Sequence, residues 1–204
     1  MRSPSECERV SRMGWAKMSR GVLKWFLHTS LGDYQYWKVY SVDLPYPYPE
    51  LPAGVAIREV SPEDLAALVS DERIYGEDYW GDEALGFGLF VNGELASLQG
   101  VWWGERYMRE RQGRSWRIPD GAVKTHNLHT ISAYRGRGYA SLLKRYVLAE
   151  LGERGFRKVY ARIWHSHTNS IRVSRRAGMR LVGAYIEVCP FGKRIELRIP
   201  FRLQ

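Results

Sequence analysis

One short run, Tyr134 to Ala140, constrains the fold of this chain more than any other part of its sequence. It reads Tyr-Arg-Gly-Arg-Gly-Tyr-Ala and follows a strand-like stretch at 122–131 that is rich in β-branched residues. A helix-like stretch at 139–153, with apolar residues at helical spacing, comes directly after it. The run therefore predicts a tight strand-to-helix turn, the kind of connection from which α/β folds are built.

The same turn has the chemistry of an anion site. A turn that opens a helix leaves backbone N–H groups unpaired, and the helix dipole adds partial positive charge there. Gly136 and Gly138 carry no Cβ, so an anion can approach the backbone closely, and Arg135 and Arg137 add full charges. The spacing matches neither the three-glycine dinucleotide fingerprint nor a P-loop. The sequence favours a diphosphate cradle, with an ordinary strand-to-helix turn as the alternative.

The order of the other elements predicts a mixed β-sheet flanked by helices. Asn92-Gly93 between two apolar runs is a hairpin signal, and the crossover through helix 139–153 makes its flanking strands parallel. A ligand site belongs at the carboxyl ends of such strands. The predicted strands are 55–60, 85–91, 95–103, 123–131, 159–164, 181–188 and 194–201, and the predicted helices are 61–69, 139–153 and 169–177.

The first part of the chain differs in character, and we predict an N-terminal extension at 1–52 and a main domain at 53–204. The extension consists of a basic amphipathic helix at 11–31, an aromatic strand at 36–44 and a proline-rich linker. The helix either packs against the domain or a dimer mate, or lies on an anionic membrane surface. A homodimer and peripheral membrane contact are both compatible with this pattern.

Composition sets broader limits. The 204 residues carry 31 Lys and Arg against 22 Asp and Glu, a formal charge of +9 that favours anionic partners in general. Two cysteines make neither a disulfide framework nor a metal cluster, so we expect reduced thiols and no metal. With no signal peptide pattern and no long apolar run, we expect a cytoplasmic protein, with the inner face of the membrane as a possible location.

Three local features together resemble the GCN5-related N-acetyltransferase (GNAT) family. The residues Arg135-Gly136-Arg137-Gly138-Tyr139-Ala140 match its Arg/Gln-x-x-Gly-x-Gly/Ala motif. Leu142-Leu143 stands where the family has apolar residues after the glycine turn. The segment from Asn169 to Gly178-Met179 resembles its second signature, a short helix ending in Gly-Phe or Gly-Met. The resemblance covers roughly residues 55–200 and implies the GNAT fold, a single mixed sheet flanked by helices.

This resemblance implies acetyl-CoA, or another acyl-CoA, as a co-substrate. The strand edge would pair with the pantetheine arm, the glycine turn would hold the pyrophosphate, and the second signature would lie near the arm. The positions that match are Leu128, His129 and Thr130 on the strand, Arg135, Gly136, Arg137, Gly138, Tyr139 and Ala140 in the turn, and Asn169 and Ser170 in the second signature.

The catalytic residues are less clear, because two positions depart from the family pattern. Ser174 stands where the family often has a tyrosine that protonates the leaving thiolate, and His167 stands where it often has an asparagine. His126 is the first candidate for the base, since a histidine has a suitable pKa and strand alternation puts it on the face of Leu128 and Thr130. His165 and His167 are further candidates near the predicted slot.

We therefore expect an N-acyltransferase that moves an acyl group directly to a primary amine. The arginine-rich loop 106–117 suggests a small, anionic acceptor such as an envelope or amino-sugar precursor. One alternative is a non-catalytic GNAT module that binds coenzyme A, which the missing tyrosine favours. A nucleic-acid binder that stacks bases on Tyr107 and Trp116 is the least supported alternative.

Overall fold

The computed structural model describes residues 35–66, 78–110, 116–189, 193 and 195–199. Strands and helices alternate along the described chain much as the hydrophobic pattern predicts. The elements are β1 Gln35–Asp43, β2 Val55–Glu59, α1 Pro62–Ala66, β3 Ala84–Val91, β4 Glu94–Trp102, α2 Gly104–Glu110, β5 Ala122–Thr130, α3 Tyr139–Glu153, β6 Lys158–Trp164, α4 Thr168–Arg176, β7 Arg180–Val188 and β8 Ile195–Ile199.

The strands form one mixed sheet in the order β2-β3-β4-β5-β6-β1-β7-β8. Strands β5 and β6 pair in parallel, as the crossover through α3 requires, and the pairs β2/β3, β3/β4, β4/β5 and β1/β6 are antiparallel. The predicted fold class is confirmed. Strand β1, which the sequence assigns to the N-terminal extension, lies inside this sheet, where Trp37 pairs with Trp164 and Asp43 with Lys158.

Contacts along the chain group it into two compact units. The larger comprises residues 37–184 with 198–204, and it holds the glycine turn and the parallel strand pair. The smaller comprises residues 1–36 with 185–197, and among its described residues Tyr185, Glu187 and Val188 are buried.

Local turn chemistry explains the elements that sequence predicted best. Asn92 and Gly93 both have left-handed backbone, with φ of 51° and 89°, as a two-residue hairpin turn requires. Ser61 and Asp64 exchange hydrogen bonds between backbone N–H groups and side-chain oxygens at the start of α1. The end of the helix predicted at 61–69 and the whole helix predicted at 11–31 lie outside the described residues.

The segment after β4 corrects one prediction. The sequence pattern predicts an arginine-rich loop from 106, but residues 104–110 form helix α2. The carboxylate of Glu83 accepts a hydrogen bond from the Arg106 backbone N–H at 3.0 Å, which satisfies one of the donors that a helix start leaves free. Because Glu83 is distant in sequence, local pattern does not reveal this capping interaction.

Helix α3 supplies much of the core. Leu143, Val147, Leu148 and Leu151 are fully buried along one side of it, and they belong to a cluster that also includes Val123 of β5. Burying each such side chain contributes about 1.5–3 kcal/mol. This packing fixes the start of α3, and therefore the glycine turn, against the ends of the central strands.

A lysine interrupts this apolar side of α3. Lys144 is only 2% exposed, and its Nζ donates to Thr125 Oγ1 at 2.6 Å. Thr125 Oγ1 in turn donates to the carbonyl of Tyr160 at 3.3 Å, which joins α3, β5 and β6 through one polar chain. Burial lowers the pKa of Lys144 to about 7, because water no longer solvates the charged form.

We predict that Lys144→Met stabilises the protein at pH 7. The amine holds its proton up to about pH 10.5 when unfolded but only up to about 7 when folded, so the stability of the native protein rises with pH between these values. At pH 7 the variant should gain on the order of 2–4 kcal/mol in free energy of unfolding. Denaturant melts from pH 7 to 10 would measure the gain, which should shrink as pH rises.

The exposed Lys193 provides the control for this experiment. Lys193→Met should change stability by less than about 0.5 kcal/mol at every pH. A Lys144→Met variant that is less stable than the native protein at pH 7 would show that the amine contributes more through its hydrogen bond than its burial costs.

Candidate functional site

The parallel strands β5 and β6 separate partway along their length. Their ladder ends where Thr125 lies opposite Ala161, although β5 continues to Thr130 and β6 to Trp164. We call this opening the fork. The edge of β5 that faces the fork carries backbone groups that β6 does not use, so an extended ligand can pair with it as an added strand.

A bulge in β5 lies beside the fork. Gly100 of β4 pairs with His126, and Leu98 pairs with His129, so β5 carries one extra residue between the two pairs. Asn127 takes up the extra length with a left-handed backbone, φ 44°. A bulge of this kind bends its strand and re-aims the neighbouring side chains.

The bulge corrects the expected direction of His126. Regular alternation would put it on the face of Leu128 and Thr130, but the extra residue interrupts that alternation. Leu128 packs against the core cluster that contains Leu143. The His126 ring instead lies on the Trp102 ring, with their centroids 3.8 Å apart.

Hydrogen bonds from neighbouring elements hold the bulge in place. Asn127 Nδ2 donates to Asp78 Oδ2 at 2.7 Å, and the Tyr79 hydroxyl donates to the Asn127 carbonyl at 3.4 Å. Gln99 Nε2 donates to the His126 carbonyl at 3.4 Å. These three hydrogen bonds stabilise the bulge. The sequence alone does not indicate that Asp78 takes part in them.

The glycine turn forms an open cradle at the start of α3. Gly136 and Gly138 have left-handed backbone, with φ of 80° and 83°, which glycine adopts without strain. A Cβ on either glycine would meet no atom within 4 Å, so the turn faces open space. Between Gly136 and Ala140, no backbone N–H donates to a main-chain carbonyl of the described chain. These features fit a diphosphate at the positive end of the α3 dipole.

Two arginines complete the cradle. Arg135 Nε donates to the carbonyl of Thr130 at 2.9 Å, which ties the end of β5 to the turn. The Arg137 guanidinium lies 5.7 Å from the centre of the Tyr134 ring. Both arginines and both glycines are exposed, so the cradle is accessible from solvent.

The three strand residues predicted to contact the coenzyme lie between the bulge and the cradle. The His129 carbonyl accepts a hydrogen bond from Ser97 Oγ at 2.7 Å, and the Ser97 and Thr130 hydroxyls are 2.9 Å apart. Leu128, His129 and Thr130 are all partly buried. The structure thus brings the predicted strand edge and the predicted cradle into one continuous surface.

The environment of His126 differs from that of an exposed catalytic base. Its ring lies directly over Gly100, where an added Cβ would come within 2.4 Å of Cε1. Both ring nitrogens are inaccessible and have no hydrogen-bonding partner in the described chain. Burial, together with the charges of Lys124 and Arg106, holds the pKa of His126 well below its usual range.

Lys124 is a functional candidate that sequence analysis missed. It precedes His126 by two residues on regular strand, so both side chains lie on the same face, and its Nζ lies 5.1 Å from the centre of the Trp102 ring. Burial and the charge of Arg162 lower the pKa of Lys124 to about 8, while Asp78 opposes the shift. The sequence does offer one signal for Lys124, because it lies two residues before His126 on the same predicted strand.

Positive charge accumulates on this face of the fork. The Arg106 guanidinium lies 5.6 Å from the centre of the same Trp102 ring that Lys124 approaches. The Arg162 guanidinium, one residue beyond the end of the β5/β6 ladder, lies 4.2 Å from the Trp37 ring. Two carboxyls lie nearby: Glu110 Oε1 is 3.5 Å from Arg106 Nε, and burial raises the pKa of Asp78, although Arg106 opposes that shift. We call Arg106, Lys124 and Arg162 the fork cations.

The predicted residues of the second signature lie on and around α4. Ser174 is only 2% exposed and lies on the buried side of α4. His167 occupies the residue before α4, is exposed, and has its ring centroid 6.3 Å from that of Trp164. Asn169 and Ser170 lie in the first turn of α4, and their contacts with a coenzyme remain a prediction.

Two features are absent from the described residues. No helix in that part of the chain is both long and apolar enough to span a bilayer. No group of three or more histidine, cysteine, aspartate or glutamate side chains is arranged there to hold a metal ion.

Comparison with known proteins supports the family resemblance. A family model described as the acetyltransferase (GNAT) family matches residues 34–179. No curated protein sequence matches the chain. Similar solved structures include a GNAT-family protein from Novosphingobium aromaticivorans DSM 12444, with 22% identity, a TM-score of 0.57 and coverage of 78% of this chain and 65% of the other.

Two further solved structures have the same fold. A GCN5-related N-acetyltransferase from Sphaerobacter thermophilus has 20% identity and a TM-score of 0.58, covering 89% of this chain and 58% of the other. One from Kribbella flavida has 17% identity and a TM-score of 0.51, covering 85% and 60%. The chain thus spans less than two thirds of each of these three proteins. Because the family model spans most of the chain, including the fork and the cradle, the chain belongs to the acetyltransferase (GNAT) family.

Proposed function

We propose that this protein is an acyl-CoA-dependent N-acyltransferase that moves an acyl group, most simply acetyl, to a primary amine. The observation that carries the proposal is the continuity of the cradle and the fork. Open backbone N–H groups at Gly136–Ala140 adjoin a strand edge at Leu128–Thr130, which ends at the bulge. This surface suits a long ligand with a diphosphate at one end and an extended arm at the other.

The chain's own residues supply binding and orientation. Acyl-CoA, when bound, would supply an activated thioester at the fork. The backbone amides of the cradle would hold the diphosphate, and the strand edge would fix the arm in register. Transfer would form a carbon–nitrogen bond to the acceptor and break the carbon–sulfur bond, so the acceptor nitrogen must lose a proton, and coenzyme A leaves as a thiolate that takes up a proton from solvent.

The fork cations favour an acceptor that carries a carboxylate or phosphate. Arg106 and Lys124 both lie close to the Trp102 ring, and the charge of Arg162 reaches Lys124. An acceptor with an anionic group near its amine would be attracted to these charges. An envelope or amino-sugar precursor belongs to this chemical class, as the basic balance of the sequence suggested.

Lys124 is the better candidate for the proton acceptor than His126. The His126 nitrogens are inaccessible and its pKa is held low, which makes it a weak base. Lys124 lies on the same face with a pKa of about 8, so a useful fraction of its amine is neutral near pH 7.5. The positive charge of Arg162 disfavours the protonated form of the Lys124 amine and so contributes to its lowered pKa.

A non-catalytic coenzyme A-binding module is the second candidate function. The observation that favours it is Ser174, a buried serine in place of the tyrosine that often protonates the leaving thiolate in this family. Such a module would bind coenzyme A with the same cradle and would transfer no acyl group to any amine in a broad screen.

We predict that Gly138→Glu abolishes acetyl-CoA binding measured by calorimetry. The variant places a carboxylate at the mouth of the cradle, where it repels the diphosphate and occupies its space. Gly155→Glu is a matched control, because Gly155 also has a left-handed backbone, φ 85°, with open space around its Cα, but it follows the other end of α3. Equal binding by both variants would exclude the cradle as the coenzyme site.

We predict that Lys124→Arg lowers kcat by about 100-fold while the acceptor KM stays near normal. Arginine keeps the charge that attracts the acceptor but does not release a proton, and loss of a positioned base costs about 10²–10⁴ in rate. The native kcat should rise with pH through an apparent pKa of about 8, and the variant should lack this rise. The assay would use the best amine found in an acceptor screen.

His126→Gln is the companion variant, because glutamine fills part of the ring's space without titrating. It should leave the pH dependence of kcat in place. If kcat no longer depends on pH in His126→Gln but still rises with pH in Lys124→Arg, the base is His126 and not Lys124.

A further inference from the structure

A second basic concavity lies on the far side of α4 from α3. It encloses about 480 Å³, and the side chains that line it include Lys38 of β1, His165 after β6, and Ile171, Arg172, Arg175 and Arg176 of α4. We call it the α4 groove. None of its residues belongs to the cradle or to the fork cations, although the sequence also indicates His165 as a candidate base.

Helix geometry separates the α4 groove from the coenzyme surface. At 100° per residue, Ile171, Arg172 and Arg175 fall on one side of α4. The predicted coenzyme contact Ser170 falls on the other side with Ser174 and Ala177, which are buried. Ile171 also packs against the core cluster, so it forms the inner wall of the groove.

Strand order gives the same separation. Lys38 pairs with Ile163, and β1 borders β6 on the edge opposite to β5. The fork therefore opens on one side of β6, and the Lys38 wall of the groove stands on the other.

The groove concentrates positive charge without balancing it. In the described chain, no carboxylate forms an ion pair with Lys38, Arg172, Arg175 or Arg176, and no acidic side chain lines the cavity. The three arginines are exposed, so water and salt screen much of their mutual repulsion, but their combined positive potential attracts an anion to the cavity.

Several other cations of the larger unit form ion pairs with carboxylates. Arg58 bonds to Asp64, Lys158 to Asp43, and Arg154 to both Glu59 and Glu150. The α4 groove differs from these sites, because its cations have no carboxylate of the described chain among the lining residues.

The groove's side chains select one ligand chemistry. Guanidinium groups bind phosphate through paired N–H donors, and three of them on one helix suit an anion of more than one charge. Ile171 provides an apolar wall for the remainder of a small molecule, and the cavity volume is that of a small-ligand site. We propose that the α4 groove binds a phosphate-bearing ligand at a site separate from the coenzyme cradle.

Inorganic pyrophosphate is the probe for this site, used with full-length protein that carries Gly138→Glu to block the cradle. Calorimetry should show one remaining site, and affinity should fall as salt is raised. Adding Arg172→Ala and Arg175→Ala should weaken binding at least tenfold. Arg157→Ala is the matched control, because Arg157 is exposed and precedes the opposite end of β6; it should leave affinity unchanged.

A second arm distinguishes the source of the phosphate. Co-sedimentation with phosphatidic acid in phosphatidylcholine vesicles tests a lipid headgroup, and a soluble sugar phosphate tests a free metabolite. If the parent protein binds the sugar phosphate and the double arginine variant does not, the groove is a metabolite site. If the parent binds only the vesicles, and the double arginine variant does not, the groove is a headgroup site.

The proposal is overturned if pyrophosphate, the vesicles and the sugar phosphate all fail to bind, or if the double arginine variant binds as tightly as its parent. Thermal melts and acetyl-CoA binding, measured with Gly138 intact, should be the same for the double variant and the native protein. This control separates loss of the groove from loss of the fold, and from any failure of the proposed transferase activity.

Discussion

The end of pairing between β5 and β6 is the constraint on which the rest of the site depends. Where Thr125 and Ala161 form the last pair, β5 gains one residue at Asn127, and hydrogen bonds from Asp78 and Tyr79 hold that bulge. The free strand edge beyond it leads to Thr130, whose carbonyl accepts from Arg135 and so anchors the glycine turn. Ladder, bulge and turn follow one another along a single stretch of chain, so a change in any one of them moves the others.

The fork also collects titratable groups that a purely structural core would avoid. Lys144 lies beneath it on the α3 face, bonded to Thr125, while Lys124 lies on the opposite face beside Trp102. Burial lowers the pKa of both amines, to about 7 and about 8, and holds that of His126 below its usual range. Such burial opposes folding. The stability of this protein is therefore lower than its apolar core alone would provide, and the cost falls at the candidate site.

Local chemistry made part of this structure predictable. Left-handed glycines at the cradle and the Asn92-Gly93 turn follow from residue type, and the predicted span 139–153 is the observed span of α3. Other features depend on contacts between distant residues, which no local pattern encodes. The place of β1 beside β6 joins residues more than a hundred positions apart, and the bulge at Asn127 depends on Asp78. For that reason the predicted direction of the His126 side chain is wrong, and Lys124 is not among the residues predicted from the sequence.

The most direct test is an NMR titration, in which the chemical shifts of the backbone amides are measured as acetyl-CoA is added. If the cradle and the fork form one coenzyme surface, the largest shift changes should fall on Gly136–Ala140 and on Leu128–Thr130 together, with α4 groove residues little changed. Saturable changes confined to other parts of the sheet, with the cradle amides unmoved, would contradict the assignment of this surface to the coenzyme.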